Sequence, residues 1–326
     1  MPKMSVVIPA YNASKTIQAC LESVFQQTRA ADEVIVVDDG SSDDTIDIVG
    51  TYGSKVILIS QENQGSAKAR QAGSDAASYE YIAYLDSDDW WLDHHLQMVE
   101  SAIQSNTIDF LFTDLTRADP NSKKTQHSEK NSNFYLWFRK IHLNAALPTS
   151  NLNNLYYFNQ NQALNILLKG FPIYPSTMVV SKRALKKIGE WDIRFKRCQD
   201  LDFSLRIARK YGIFYFDDVH TVLGLHEVNS DVSSYVLMQT IGDVKVLKTH
   251  LSENRNNLEY SNSLRYALSS KLYGLGMLYK ERQDCKNAIG TFIKSASFPG
   301  KRVKSLIQLL LSCFIIFKKP LSNLKE

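Results

Sequence analysis

Asp86-Ser87-Asp88 sets two carboxylates one residue apart, directly after the apolar run 81–85. Such a pair can share a hard divalent cation, whose preferred ligands are oxygens. A cation held there can neutralise a diphosphate as its bond breaks. The bland reading of the same residues is a solvated acidic turn, and their place at a strand end favours the chemical one. A second acidic cluster, Asp38-Asp39-Gly40-Ser41-Ser42, also follows an apolar run. A carboxylate there can accept the imide N–H of a uracil or the hydroxyls of a ribose, and Gly40 lets backbone approach a ligand closely. Its serines and aspartates can equally cap a helix. Asn63-Gln64-Gly65-Ser66-Ala67-Lys68-Ala69-Arg70 opens a helix whose N-terminal N–H groups, with Lys68 and Arg70, could face a phosphate or a nucleobase edge.

Gln199-Asp200 begins another helix, after Gly189-Glu190-Trp191-Asp192. A carboxylate facing a pocket there could deprotonate a sugar hydroxyl, and the helix N-terminus would keep it ionised. Asp202 competes with it but points to another face. His226 precedes Glu227 and Asn229-Ser230 and could ligate a metal or donate to phosphate, although a lone histidine is more often structural. His94 and His95 follow Trp90-Trp91 and read as surface or cap residues.

These groups need a scaffold, and the hydrophobic pattern supplies one. Apolar runs at 4–9, 33–38, 55–60, 81–85 and 108–113 read as strands. Helical spacing over 14–28 (with Ser14 as N-cap), 44–52 (capped by Ser42 and Asp43), 65–77 and 93–105 alternates with them. Alternation with continuously apolar strands predicts a parallel sheet covered on both faces. Ligands of such sheets bind beyond the carboxyl ends of the strands, where both acidic clusters fall. Residues 119–133 read as a polar loop and 134–170 as irregular and helical. Strands follow at 174–181, 213–217 and 221–225, with a helix at 199–210. Everything past 235 reads as helix, with a tetratricopeptide-like hairpin over Tyr273–Ala296.

The 326 residues carry a formal net charge of +4, but the charge is uneven. Residues 1–234 hold 23 Lys and Arg against 28 Asp and Glu; residues 235–326 hold 15 against 6. An acidic front half argues against nucleic acid as a partner, since phosphates require a basic footprint. Four scattered cysteines with no C-x-x-C predict neither a disulfide framework nor a zinc finger, and suit a reducing cytoplasm. The N-terminal residues contain no apolar run long enough for a signal peptide. The motifs G-x-x-x-x-G-K-[ST], G-x-S-x-G and H-E-x-x-H are absent from the sequence.

In order along the chain, SVVIPAYNA, VVDDGSSDDT, NQGSAKARQAG, YIAYLDSDDWW and CQDLDFSLR closely resemble the motifs of family 2 inverting glycosyltransferases. The resemblance covers roughly residues 4–230 and rests on the ordered set, since each motif is modest alone. It implies an α/β GT-A fold, with a Rossmann-like, mainly parallel central sheet flanked by helices. A catalytic domain would occupy 1–234 and a basic helical C-terminal extension 235–326. It further implies inverting transfer from a nucleotide-diphosphate sugar, with UDP the favoured nucleotide and Mn2+ or Mg2+ as cofactor. The acceptor would be a hydroxyl of a glycan or lipid-linked sugar. Carried over residue by residue, the resemblance sets Pro9, Tyr11 and Asp39 at the base and Asp86 near the ribose. Asn63, Gly65, Arg70 and Ser87 would also serve the donor. Asp88 would bind metal and diphosphate, His226 would stand beside the diphosphate as a further metal ligand, and Asp200 would be the general base. Gln199 departs from the pattern, standing where many members have Glu.

Two rival readings remain: a nucleotidyltransferase, which should show a basic Gly-rich loop where Pro9-Ala10-Tyr11-Asn12-Ala13 stands, and a non-catalytic nucleotide-sugar-binding module. Near the C-terminus VKSLIQLLLSCFIIF, residues 303–317, is nearly all apolar. It falls short of the roughly 20 residues that cross a bilayer. On a helix Lys304, Ser305, Gln308 and Ser312 form one narrow polar stripe. Lysines and Arg302 flank the run, so 301–319 suits a helix lying in the membrane interface, peripheral on the inner face of the cytoplasmic membrane. A helix packed on the catalytic domain or on a partner subunit of an oligomer is the alternative.

Overall fold

Strands rich in Val and Ile with no polar alternation form where both of their faces can be covered, and β1 (Met4–Ala10) and β2 (Glu33–Asp38) are of this kind. The computed structural model describes residues 1–117, 147–148, 152–170, 173–224 and 232–318. It divides into two compact units, Met1–Glu227 and Val228–Glu326. After β1 the first unit runs α1 (Ile17–Phe25), β2, α2 (Thr45–Gly50), β3 (Ile57–Ser60), α3 (Ser66–Ala76), β4 (Tyr81–Tyr84), β5 (Trp90–Trp91), α4 (His95–Ser105) and β6 (Phe110–Arg117). There follow β7 (Leu147–Pro148), β8 (Leu155–Phe158), α5 (Gln160–Lys169), β9 (Met178–Ser181), α6 (Lys182–Ile188), α7 (Gln199–Tyr211) and β10 (Ile213–Leu223).

One sheet takes the order β3-β2-β1-β4-β9-β6-β10-β8-β7, with β5 paired to β10. β1 runs parallel to β2 and β4, β2 to β3, and β6 to β10. β9 is antiparallel to both β4 and β6. Alternation along β1 divides the core. Met4, Val6 and Ile8 join Ile17, Leu21 and Val24 of α1 and Leu96 and Val99 of α4. On the opposite face Gly73 of α3 lies so close to Val7 and Val37 that a Cβ would stand 2.4 Å from one Val7 methyl. Further along, Trp191 stacks on Phe203 of α7 with centroids 4.2 Å apart and meets Tyr84 of β4 edge-on at 5.3 Å. The architecture is thus the expected α/β, GT-A arrangement of a mainly parallel sheet flanked by helices.

Several local expectations are corrected. The segment 174–181 holds a 3-10 turn over Pro175–Thr177 before the strand, and that strand is antiparallel. The two strands expected at 213–217 and 221–225 are one strand, β10, whose register against β6 slips near Val219. Within 134–170 the described residues contain strand as well as helix. Ser14 caps nothing: its backbone N–H donates to Asp43 Oδ2, and the residue before α1 is Thr16, which offers no side-chain cap. His95 is not a surface residue. It is fully buried, its ring stacked 4.2 Å from Trp91.

The second unit is helical: α8 (Val232–Glu253), α9 (Leu258–Glu281), α10 (Cys285–Ala296) and α11 (Arg302–Lys318). The hairpin expected over Tyr273–Ala296 corresponds to the end of α9 and all of α10, packed through Tyr273 and Phe292. Gly276 admits the Phe292 ring, which would lie 2.6 Å from a Cβ there.

Burial, with His220 nearby, holds the His95 imidazole well below its ordinary 6.5, and neither ring nitrogen has a hydrogen-bond partner among the described residues. The unfolded chain takes up that proton near 6.5 and the folded chain does not. Stability therefore falls as pH drops below that value. The expected loss is about 1 kcal/mol over the first pH unit. The His95→Phe variant keeps the ring stack and should flatten this part of the curve. Thermal melts of both proteins between about pH 7.5 and 5.5 test it; parallel curves would refute it.

Candidate active site

The loops at the carboxyl ends of β1, β2 and β4 enclose a cleft of about 720 Å3. Its first wall is stitched from two loops. Asn12, at φ 49°, donates its N–H to Ser41 Oγ at 2.9 Å and accepts from Ser42 N at 2.8 Å. Ala13 N donates to Thr45 Oγ1 at 2.8 Å. Gly40 turns at φ 77°, and a Cβ there would stand 3.0 Å from Asn63 N. Its freedom lets the 61–65 segment close over β2.

Asp39, only 3% exposed, organises that segment. Oδ1 accepts from Gln61 Nε2 at 2.6 Å and Gln64 N at 2.9 Å, and Oδ2 from Gly65 N at 2.7 Å. A carboxylate has about four acceptor positions, so one remains for a further donor.

The acidic turn after β4 forms the opposite wall. Ser176 anchors it: its hydroxyl accepts from Asp86 N at 3.0 Å and donates to Asp89 Oδ2. Gly224 N donates to Asp89 Oδ1 at 2.9 Å. A Cβ on Gly224 would lie 1.8 Å from the Asp88 carbonyl oxygen, so only glycine allows the end of β10 to meet the turn. Burial, then the charges of Asp86 and Asp88, push the Asp89 carboxyl up to about 8. Burial and the same three acids raise the thiol of Cys20, whose Sγ lies 3.7 Å from the Asp86 carbonyl.

Arg70 of α3 crosses beneath the turn. It is 5% exposed; Nη2 meets Asp86 Oδ1 at 2.6 Å and Nη1 meets Gln199 Oε1 at 3.2 Å. The Gln199 oxygen also accepts from Ser66 Oγ at 3.0 Å. The start of α7 is thereby tied to the start of α3 and to the acidic turn.

A crowded acidic turn of hard oxygen donors fits a divalent cation. Among the described residues no group of three or more His, Cys, Asp or Glu stands ready to enclose one. A cation taking its protein ligands from Asp88 and its neighbours would complete its shell with substrate oxygens and water, as Mg2+ commonly does.

Of the residues singled out from the sequence, Pro9, Tyr11, Asp39, Arg70, Asp86, Ser87 and Asp88 line this one cleft. Gly65 bonds to Asp39, and Asn63 lies against Gly40. Asp200 sits in the first turn of α7, beside the braced Gln199, and its Oδ1 accepts from Leu201 N at 3.0 Å. It is not among the residues lining the cleft. Its neighbour Asp202 is buried and paired to Arg206 at 2.8 Å. His226 lies outside the described residues. Ser176 and Gly224 were not foreseen. Neither belongs to a local motif, and each acts through a strand distant in sequence from the turn it holds.

The sequence model of glycosyl transferase family 2 matches residues 5–189, more than half of the chain. The chain belongs to this family. A relative in Escherichia coli, the UDP-Glc:alpha-D-GlcNAc-diphosphoundecaprenol beta-1,3-glucosyltransferase WfgD, is 40% identical over 111 residues, 33% of this chain and 44% of the relative. The chain spans about half the length of the curated relatives it matches, or less. Among solved structures, S. aureus TarS 1-349 in complex with UDP-GlcNAc aligns at TM-score 0.54 and 19% identity, over 90% of this chain and 91% of that one. The mannosyltransferase PcManGT from Pyrobaculum calidifontis, in complex with GDP-Man and Mn2+, aligns at TM-score 0.62 and 16% identity, over 98% and 81%. These likenesses establish a shared fold. The family match ends before Gln199, Asp200 and Gly224.

Gly224→Ala should push the Asp88 carbonyl out of place. The expected cost is about 1–3 kcal/mol of stability, with a larger proportional loss of donor affinity than of thermal stability. Calorimetric titration with a nucleotide sugar beside a thermal melt distinguishes the two. Unchanged donor affinity would show that the turn tolerates the displacement.

Proposed function

We propose that this family 2 glycosyltransferase moves a sugar, with inversion, from a UDP-sugar to a hydroxyl of a lipid-linked glycan. The observation that carries the reading is the single cleft in which Asp39, Arg70, Asp86 and Asp88 converge at the carboxyl end of the sheet. It is supported by the naming of WfgD, which takes UDP-Glc and a diphosphoundecaprenol-linked GlcNAc, and of a second relative, WfaP, with the same activity. The UDP-GlcNAc complex of TarS supports the choice of nucleotide. Four scattered cysteines with no C-x-x-C suit a reducing, cytoplasmic site of action.

In this reading Pro9 and the exposed Tyr11 flank the base. Asp39 offers its remaining acceptor position to one N–H, such as the uracil imide. Asp86, held in place by Arg70, faces the ribose, and Asp88 faces the diphosphate. Bound by Asp88, Mn2+ or Mg2+ would offset the charge of the departing diphosphate. Asp200 accepts the proton of the acceptor hydroxyl. The freed oxygen forms its bond to C1 from the side opposite the diphosphate, and the breaking C1–O bond leaves its electron pair on the phosphate. Position at the start of α7 favours the ionised carboxylate, the form that can accept a proton.

Asp200→Asn should lower turnover about a hundred- to ten-thousandfold with donor affinity intact. Near-normal turnover, measured on the same preparation as the donor titration, removes Asp200 from the role. Asp88→Ala should abolish the gain in donor affinity that Mn2+ brings. Equal affinities with and without the ion would sink the metal assignment. A panel of nucleotide sugars scored by thermal stabilisation identifies the donor.

A further inference from the structure

The polarity of α11 is turned inside out. Two of its polar residues, Ser305 and Gln308, face the helical unit. Ser305 is fully buried and donates to Ser295 Oγ at 2.8 Å. Ser295 in turn donates to the Ser269 carbonyl at 2.8 Å, and Lys301 N donates to Ser269 Oγ at 3.0 Å. Gln308 accepts from Lys280 Nζ at 2.8 Å. Its apolar positions face outward: Val303, Leu306, Ile307, Leu310 and Leu311 are 46–69% exposed. Their spacing, three and four residues apart, makes one continuous stripe over residues 303–311. Exposed Tyr266 stands at its root, 3.2 Å from the position of a Cβ on Gly300.

We infer that this outward face of α11 docks onto an anionic lipid bilayer. A contiguous apolar stripe on a water-facing helix marks an interaction surface rather than a resting one. Charge selects the occupant. Exposed Arg302 and Lys304 precede the stripe, Lys318 and Lys319 follow it in sequence, and residues 235–326 carry 15 Lys and Arg against 6 Asp and Glu. A second copy of this face would bring basic ends against basic ends in either a parallel or an antiparallel pairing, which is repulsive. Anionic headgroups answer the same charges favourably, and the acyl boundary accepts the leucines. At 1.5 Å per residue the helix is about 25 Å long, short of a hydrocarbon core. No helix among the described residues is long and apolar enough to cross a membrane, so α11 lies along the surface. Tyr266 is the kind of amphipathic ring that settles at headgroup level. The inference does not rest on the sugar chemistry, although a lipid-linked acceptor would be presented at that surface.

Flotation of the full chain tests it, using vesicles of phosphatidylglycerol with phosphatidylethanolamine, and vesicles of phosphatidylcholine alone as the comparison. The protein should float with the anionic vesicles and be released by salt. Arg302→Gln with Lys304→Gln should weaken binding roughly twentyfold at low salt. Leu306→Glu with Leu310→Glu should weaken it at least about a hundredfold. Both pairs alter exposed positions; circular dichroism and donor-induced thermal stabilisation, expected to match those of the unmodified chain, confirm the fold and keep this test separate from that of the transferase reading. Failure of the unmodified chain to float with anionic vesicles overturns the inference, as does equal flotation of the Leu306→Glu, Leu310→Glu protein. So does a dimer in sedimentation that this pair dissolves while no flotation is seen.

Discussion

The Arg70 guanidinium, almost shut off from water between the Asp86 carboxylate and the Gln199 amide, fixes the geometry of the cleft. A cation so enclosed is tolerated only while its partners stay in place, because an unpaired buried charge costs several kcal/mol. The pair therefore constrains three segments at once: the first turns of α3, the turn after β4 and the start of α7. Neutral Gln199 matters here. A carboxylate at that position would divide the guanidinium between two anions and load the rim with another charge. An amide oxygen accepts the second N–H and leaves Asp86 as the ionic partner of Arg70 among the described residues. Asp200 is the next residue of the same helical turn.

The rest of the acidic turn is held from the far side of the sheet. β5 and β10 pair antiparallel, with Trp91 opposite Thr221 and Trp90 opposite Val222. Continuing that register by two residues brings Gly224 opposite Asp88, where the two backbones touch. Ser176, at the head of β9, reaches the same turn because β9 lies between β4 and β6. Antiparallel pairings thus supply both anchors, Ser176 through β9 and Gly224 through β10 against β5. A purely parallel sheet would leave the turn fixed only through its own strand.

This explains what could and could not be read from the chain. The strands at 33–38 and 81–84 were legible because double-sided burial leaves an uninterrupted apolar run, and the acidic clusters because they end such runs. Convergence of Asp39, Asp86 and Asp88 followed from the rule that parallel strands share one carboxyl edge. Direction was not legible: nothing in Met178–Ser181 distinguishes a parallel strand from an antiparallel one. Two-residue β5 is too short to have a period. His95 misled because a histidine near a helix start resembles a cap. Its burial depends on the Trp91 ring, which turns inward only when β5 pairs with β10.

The helical unit obeys the same rule as the cleft. Polar groups are buried where every donor finds an acceptor, and the Ser269, Ser295 and Ser305 hydroxyls meet that condition among themselves and with backbone. Once they are satisfied inside, the helix that carries Ser305 has no choice about its other side. A helical period that puts Ser305 and Gln308 against α9 and α10 must put Leu306 and Leu310 into solvent. Sequence alone shows the stripe of polar residues but not which side of it is water, since a narrow polar stripe usually marks the wet face. Hydrogen bonding within the unit reverses that assignment, and the exposed leucines are its direct consequence.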